Sequence, residues 1–179
     1  EVDLIIDTAS VIEQLADIDL EIAVIAARNK NGEIKCFDAV GMEFHGDANL
    51  VEELVCPANI PNIIESKAKL IASEIIEKLD ICGLLAVEYF HNKDGSLWVN
   101  EVAPRPHNSG HHTIENCYTS QYQQHIRGVM NYPLGSTTTR CPAMLLNLLG
   151  EEGEIGEAKY QGFDEIIALE GVLPHLYGK

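Results

Sequence analysis

Two glutamates, Glu88 and Glu101, flank an Asp94-Gly95 dipeptide in the stretch GLLAVEYFHNKDGSLWVNEVAPRPHNSGHH, residues 83–112. Residues 84–90 and 97–102 are apolar, aromatic and β-branched enough to be strands, and Asp-Gly between them favours a two-residue type I′ turn. If Lys93 faces Ser96, Tyr89 falls opposite Asn100 and Glu88 opposite Glu101. Directly opposed side chains have Cβ atoms roughly 4.5 to 5.5 Å apart, where like charges destabilise the pair. Two resolutions exist: the carboxylates share a divalent cation, or one of them is protonated or splayed into water. Mg²⁺ suits the first, since it is held by one or two carboxylates while phosphates and water complete its octahedron.

Beyond the second strand, Ala103-Pro104-Arg105-Pro106 cannot continue as a paired central strand. Each proline lacks an N–H and biases its predecessor toward extended geometry. Arg105 is thereby presented on a stiff support, and His107, Asn108, Ser109, Gly110, His111 and His112 follow as a dense run of donors and acceptors. A planar guanidinium fork is suited to gripping an oxyanion. His107 and His111, four apart, raise zinc, but Pro106 and Gly110 oppose the helix that such spacing needs and no Cys-rich partner motif exists.

These groups need a scaffold, and its elements are readable. Residues 22–28 and 34–40 are β-rich runs separated by Asn29-Lys30-Asn31-Gly32, which predicts a second hairpin joining the first in one sheet. Over 64–79, apolar Ala68, Ile71, Ala72, Ile75, Ile76 and Leu79 recur at helical spacing, with Glu65/Lys69 and Glu74/Lys78 as i,i+4 pairs outside. Residues 118–130 predict a further amphipathic helix whose Tyr122, Ile126 and Met130 stripe is its packing face, ended by Pro133 and Gly135. Residues 143–149 read as a buried strand and 172–177 as another, with an acidic, glycine-bearing loop at 150–162. The expected fold class is α+β, a mainly antiparallel sheet with packed helices, in a single domain spanning 1–179.

Composition narrows the function. A formal charge of −16 argues against nucleic-acid or anionic-membrane partners, whose phosphates require Lys and Arg. Hydrophobic content of 46% with 22% charged residues is that of an ordinary globular protein. Apolar runs fall well short of the roughly 20 residues that cross a bilayer. Cys36, Cys56, Cys82, Cys117 and Cys141 are scattered and lack C-x-x-C spacing, so reduced thiols and a cytoplasmic location are expected.

VNEVAPRPHNSGHHTIENCYTSQYQQHIRGVMNYPLG resembles the signature region of the N5-carboxyaminoimidazole ribonucleotide synthetases, ATP-grasp ligases of purine synthesis that also form the ATPase half of plant and fungal phosphoribosylaminoimidazole carboxylases. The likeness runs from Glu13 and Glu21, through IAVIAARNKNGEI, to HLYGK. Formate-dependent glycinamide ribonucleotide formyltransferases are similar here, but typically read S-E at Asn100-Glu101 and H-D-T-G at 107–110. The resemblance implies ATP and Mg²⁺ as cofactors, and bicarbonate and 5-aminoimidazole ribonucleotide as substrates. Glu88 and Glu101 match its magnesium carboxylates, and Glu101 and Asn100 its ATP site, although Asn100 should point away from Glu101 on an ideal strand. Glu13-Gln14-Leu15-Ala16 matches the segment along the adenine edge and Glu21 the acid that holds the ribose. His45 matches a histidine near the nucleotide, given one inserted residue. Arg105, with His107, Asn108 and Ser109, matches the part of the site nearest bicarbonate and the ribonucleotide, Arg105 being the catalytic group.

The same likeness implies the C-terminal portion of an ATP-grasp module, without the N-terminal domain, the lysine-bearing lid or the C-terminal tail, and inert alone. A homodimer and a fused or partnering mutase domain are both compatible with it. The competing readings are a non-catalytic ATP-grasp remnant serving dimerisation or interaction, and a related ATP-grasp ligase or formyltransferase acting on another amine.

Overall fold

The computed structural model describes residues 11–44, 51–148, 156–157 and 159–176. The chain divides into two compact units, Glu1–Asn147 and Leu148–Lys179. In the first, seven strands form one antiparallel sheet: β1 (Ile18–Arg28), β2 (Ile34–Cys36), β3 (Val40–Phe44), β4 (Val51–Cys56), β5 (Gly83–Asn92), β6 (Leu97–Ala103) and β7 (Ala143–Leu146). The order is β6-β5-β1-β3-β4-β7, with β2 paired to the end of β1. Helices α1 (Asn62–Lys78), α2 (Thr113–Asn116) and α3 (Gln121–Val129) complete the unit. The α+β class follows from this architecture.

β1 is central and buried on both sides, which is why residues 22–27 read as an unbroken apolar run rather than an alternating one. One face carries Ile22, Val24, Ala26, Leu85, Val87 and Tyr89 against Ala68, Ala72 and Ile76 of α1. Tyr89 donates its hydroxyl to the Ala68 carbonyl at 2.8 Å, so its one polar atom is satisfied inside that core. The Glu65 and Lys69 pair forms at 2.8 Å and the Glu74 and Lys78 pair at 3.7 Å. On the opposite face, Ile25, Ala27, Phe37, Leu84, Ala86, Ala103, Cys117 and Leu134 form one cluster, and Ala23, Val40, Met42, Leu54 and Cys56 another.

Several local expectations change. The run 34–40 breaks into β2 and β3, with Phe37 donating its N–H to Ile25 across the gap. The β5–β6 turn holds three residues rather than two: Asn92 bonds Ser96 at 2.9 Å, and Lys93, Asp94 and Gly95 lie between them. Gly95 adopts φ +80, and the Asp94 carboxylate accepts the Ser96 N–H at 2.8 Å. That left-handed third position is what a three-residue hairpin loop requires. β7 is an edge strand with alternating exposure, not a buried one, because only β4 flanks it.

α3 reverses its predicted face. Tyr122, Ile126 and Met130 are 41%, 58% and 56% exposed, while Gln121, Gln124 and Gly128 are buried. It packs on the ends of β1 and β5, and at its first turns it also meets loop peptide groups, which need polar partners more than apolar ones. Gln124, for example, donates to the Gly135 carbonyl at 3.0 Å and accepts from its N–H at 2.7 Å. Gly128 lets the helix meet the sheet: a Cβ there would lie 2.7 Å from the Arg28 carbonyl and 2.8 Å from the Gly83 Cα. Backbone on both sides cannot yield, so Gly128→Ala should cost about 3 kcal/mol, the upper end for overpacking. Urea unfolding measures it, and a change below about 0.5 kcal/mol would show that α3 adjusts freely.

In the second unit, α4 (Phe163–Ile167) starts from Gly162 at φ +72, and the Tyr160 and Phe163 rings lie 6.2 Å apart. Val172 to Leu176 are exposed and form no strand, contrary to expectation, since the described residues of this unit offer no strand for them to pair with. Among the described residues, no helix is long and apolar enough to cross a membrane.

Candidate active site

The open half of the second sheet face holds the acidic groups. Ala23 of β1 pairs with Glu88 of β5, which pairs with Glu101 of β6, and Glu21 lies one same-face step along β1. The sequence-based register at the glutamates is therefore observed, but by a different route. The pairs His91/Leu97, Phe90/Trp98 and Tyr89/Val99 are one residue out of the expected register, because of the three-residue turn. A β-bulge at Asn100 restores it, so that Glu88 faces Glu101. Such a bulge sets two residues of one strand against one of the other and re-aims a side chain. Asn100 is thus the extra residue beside Glu101, not the partner of Tyr89 on a regular strand.

Past Ala103 the chain doubles back. Arg105 donates its N–H to the Ala103 carbonyl at 2.9 Å, and its exposed guanidinium donates to the Pro106 carbonyl at 3.1 Å. His107 then points at the carboxylates, its Nε2 3.4 Å from a Glu88 oxygen. One ligand atom from each of Glu88, Glu101 and His107 lies within 4.8 Å of the others. The zinc spacing of His107 with His111 is not realised in that group. A 3₁₀ turn, Asn108–Gly110, seats the loop. Ser109 is buried with its hydroxyl 2.9 Å from His107 Nδ1, whereas Asn108 stays exposed.

Electrostatics mark the same spot. Burial, then the neighbouring charges of Glu101 and Glu21, push the Glu88 carboxyl up to about 7, against the opposing pull of Arg105. Burial also raises the Glu21 carboxyl. Burial, then Arg105, hold His107 below the ordinary imidazole value, so its ring is neutral near pH 7. A buried carboxyl beside a second one, short of compensating cations, is a donor set for a hard divalent ion.

A cavity of about 300 Å³ is lined by Glu13, Gln14, Phe90, Trp98, Val99 and Asn100, the last preceding Glu101 on β6. Leu15 is 93% exposed and Ala16 is half-buried at its margin in sequence. His45 lies outside the described residues. Phe90 and Trp98 were not singled out from the sequence, although Phe90 stands two residues from Glu88 on one strand and so shares its face. The joining of His107 to the carboxylate pair was also unforeseen, because it depends on how the loop folds back.

The shifted carboxyl has a measurable consequence. A folded value of about 7 against the ordinary carboxyl value of 4.5 means that the native protein holds more protons between those limits, so metal-free stability should fall as pH rises through this window. Glu88→Gln removes the penalty and should stabilise the metal-free protein by roughly 1 to 3 kcal/mol at pH 8. Added Mg²⁺ should raise Tm more at pH 8 than at pH 6 in the native protein, and not at all in the variant. Equal Mg²⁺ effects at both pH values would uncouple Glu88 from the cation.

The antiparallel sheet carries helix α1 on one face and an acidic cluster on the other. Residues 3–122 match the family model described as the ATP-grasp domain, and the chain belongs to the ATP-grasp family. Within that family it is 40% identical over 169 residues to N5-carboxyaminoimidazole ribonucleotide synthase of Bacillus subtilis (strain 168), a match covering 94% of this chain and 42% of that protein. The crystal structure of N5-carboxyaminoimidazole ribonucleotide synthetase from Thermotoga maritima superposes with a TM-score of 0.84 at 44% identity, covering 93% of this chain and 44% of that one. An Aspergillus clavatus N5-carboxyaminoimidazole synthase, solved with ADP and 5-aminoimidazole ribonucleotide, gives 0.73 at 32% identity, covering 77% and 37%. The chain thus spans less than half the length of these relatives.

Proposed function

We propose that this chain, acting within a longer enzyme, forms the metal, nucleotide and bicarbonate portion of an ATP-dependent ligase that carboxylates 5-aminoimidazole ribonucleotide to the N5-carboxyamino product. The observation that carries this reading is the convergence of Glu88, Glu101 and His107 beside Arg105, in a chain similar to enzymes of that name. Glu88 and Glu101 would hold Mg²⁺, which when bound neutralises and orients the ATP phosphates. Glu13, Gln14 and Asn100 lie around the cavity that would take the nucleoside, with Phe90 and Trp98 as its apolar wall. Leu15 and Ala16 would continue the adenine edge, and Glu21 would take the ribose hydroxyls.

The chemistry asks for positioning and charge neutralisation, and no covalent side chain is needed. A bicarbonate oxygen attacks the γ-phosphorus and ADP leaves, giving carboxyphosphate. Loss of phosphate delivers CO₂ to the 5-amino group, which forms the new C–N bond and releases a proton. Arg105 grips bicarbonate and stabilises the charge of carboxyphosphate as it develops. His107, neutral and tied to Ser109, keeps its ring against Glu88, and exposed Asn108 faces the substrates. Free Cys36, Cys56, Cys82, Cys117 and Cys141 fit a reducing, cytoplasmic setting.

The test is phosphate release by the full-length protein. It should require ATP, Mg²⁺, bicarbonate and 5-aminoimidazole ribonucleotide together. Equal release with glycinamide ribonucleotide and formate would transfer the chain to the formyltransferase reading.

A further inference from the structure

The loop that carries His107 has no strand partner there, yet both peptide groups at His107 are met by one side chain. Gln121, the first residue of α3, is fully buried. Its Oε1 accepts the His107 N–H at 2.9 Å, and its Nε2 donates to the His107 carbonyl at 2.8 Å. The pair mimics a strand partner and leaves His107 one backbone position. The Gln121 N–H donates to Thr113 Oγ1 at 2.9 Å, and that hydroxyl donates to the Gly110 carbonyl at 2.5 Å. Gly110 donates its own N–H to the His107 carbonyl at 3.0 Å. A Cβ added at Gly110 would displace the end of Ile25 and the Gln121 amide, lying 2.6 Å from Gln121 Oε1. The base of α3 is itself pinned, because Ser120 and Gln123 form a reciprocal capping box.

We infer that Gln121 is a positioning residue for the oxyanion side of the site: its amide clamps the His107 backbone, aims the ring at Glu88, and sets the geometry of the Arg105-to-Ser109 loop that receives bicarbonate. Gln121 touches no reacting atom and acts through His107. The part concerning bicarbonate rests on the proposed function, whereas the clamp itself does not. Only a group that both accepts and donates on one planar fork can replace it. An ionised glutamate keeps the acceptor for the N–H but sets a second acceptor against the carbonyl. A protonated glutamate, with one C=O and one O–H, restores both bonds.

The experiment uses the full-length protein with ¹⁵N-labelled histidine, in native, Gln121→Ala and Gln121→Glu forms. Folding is monitored by thermal unfolding, and the His107 ring signals are assigned by His107→Gln. In Gln121→Ala, KM for bicarbonate should rise about 10- to 100-fold, while KM for ATP stays within about twofold, since loop misplacement of about 1 Å suffices for such losses. The His107 ring nitrogens, one fixed tautomer in the native protein, should become tautomer-averaged. Gln121→Glu should recover near-native KM at low pH and lose it as pH rises through the raised pKa of a buried carboxyl, a limb absent from the native profile. If Gln121→Ala does not fold, that added pH limb in Gln121→Glu decides the matter. A folded Gln121→Ala protein with native ring signals and native KM for bicarbonate overturns the inference, as does a Gln121→Glu enzyme with no new pH limb. Native protein lacking bicarbonate-dependent turnover, with ring signals still altered by Gln121→Ala, removes the proposed function and leaves the clamp supported.

Discussion

Replacing Glu101 by Gln in the full-length protein should lower bicarbonate-dependent phosphate release by about 10³-fold or more, while the fold survives. The reason lies in the register. Glu101 is exposed and pairs directly with Glu88, so its charge has no structural task within the sheet. The isosteric amide keeps the strand and removes one of two anionic ligands. A cation that carries the phosphate charge of the transition state is the largest electrostatic contributor available in a site with few basic groups. Loss of several kcal/mol of transition-state stabilisation corresponds to this factor, since about 1.4 kcal/mol is tenfold in rate. The measurement is steady-state phosphate release at saturating Mg²⁺, with circular dichroism to confirm the fold. Glu101→Gln turning over at the native rate would end the metal reading. Glu101→Asp should fall between the two, because its shorter arm retains charge but retreats from Glu88.

Arg105→Lys should reduce turnover by about 10²-fold or more, with ATP binding little changed. Charge is conserved in this substitution, so the effect isolates geometry. The Arg105 guanidinium is exposed and, among the described residues, is steered by its bond to the Pro106 carbonyl, on a backbone stiffened by Pro104 and Pro106. A planar fork can meet two oxygens of bicarbonate at once, whereas an ammonium is a point charge on a flexible stem. KM for bicarbonate and kcat are the quantities to separate. A rise in KM alone would make Arg105 a binding group, and an unchanged rate would remove it from the chemistry.

Much of the scaffold was legible because burial writes itself into periodicity. α1 runs over 62–78 against an expected 64–79, and its Ala68, Ala72 and Ile76 face the sheet as their spacing requires. α3 does not follow the same rule: in its inner face Gln121 and Gln124 bond the peptide groups of the loops at His107 and Gly135, and Gly128 meets the backbone of β1 and β5. No local pattern encodes that demand. The hairpin shows a subtler case, since a turn one residue longer and a bulge at Asn100 displace the register in opposite senses and cancel at Glu88 and Glu101.

By itself, the amino-acid order determined which groups exist and which strands carry them: two carboxylates near a common hairpin, an arginine between prolines, an amphipathic helix to back the sheet. These follow from short-range sterics and alternation, which neighbouring residues settle among themselves. Tertiary structure alone decided that His107 turns back onto Glu88, that Phe90 and Trp98 share a cavity with Glu13 and Gln14, and that Gln121 holds the loop in place. Those contacts join segments separated by many residues, and they form because buried peptide groups and half-buried charges must find partners wherever the fold supplies them.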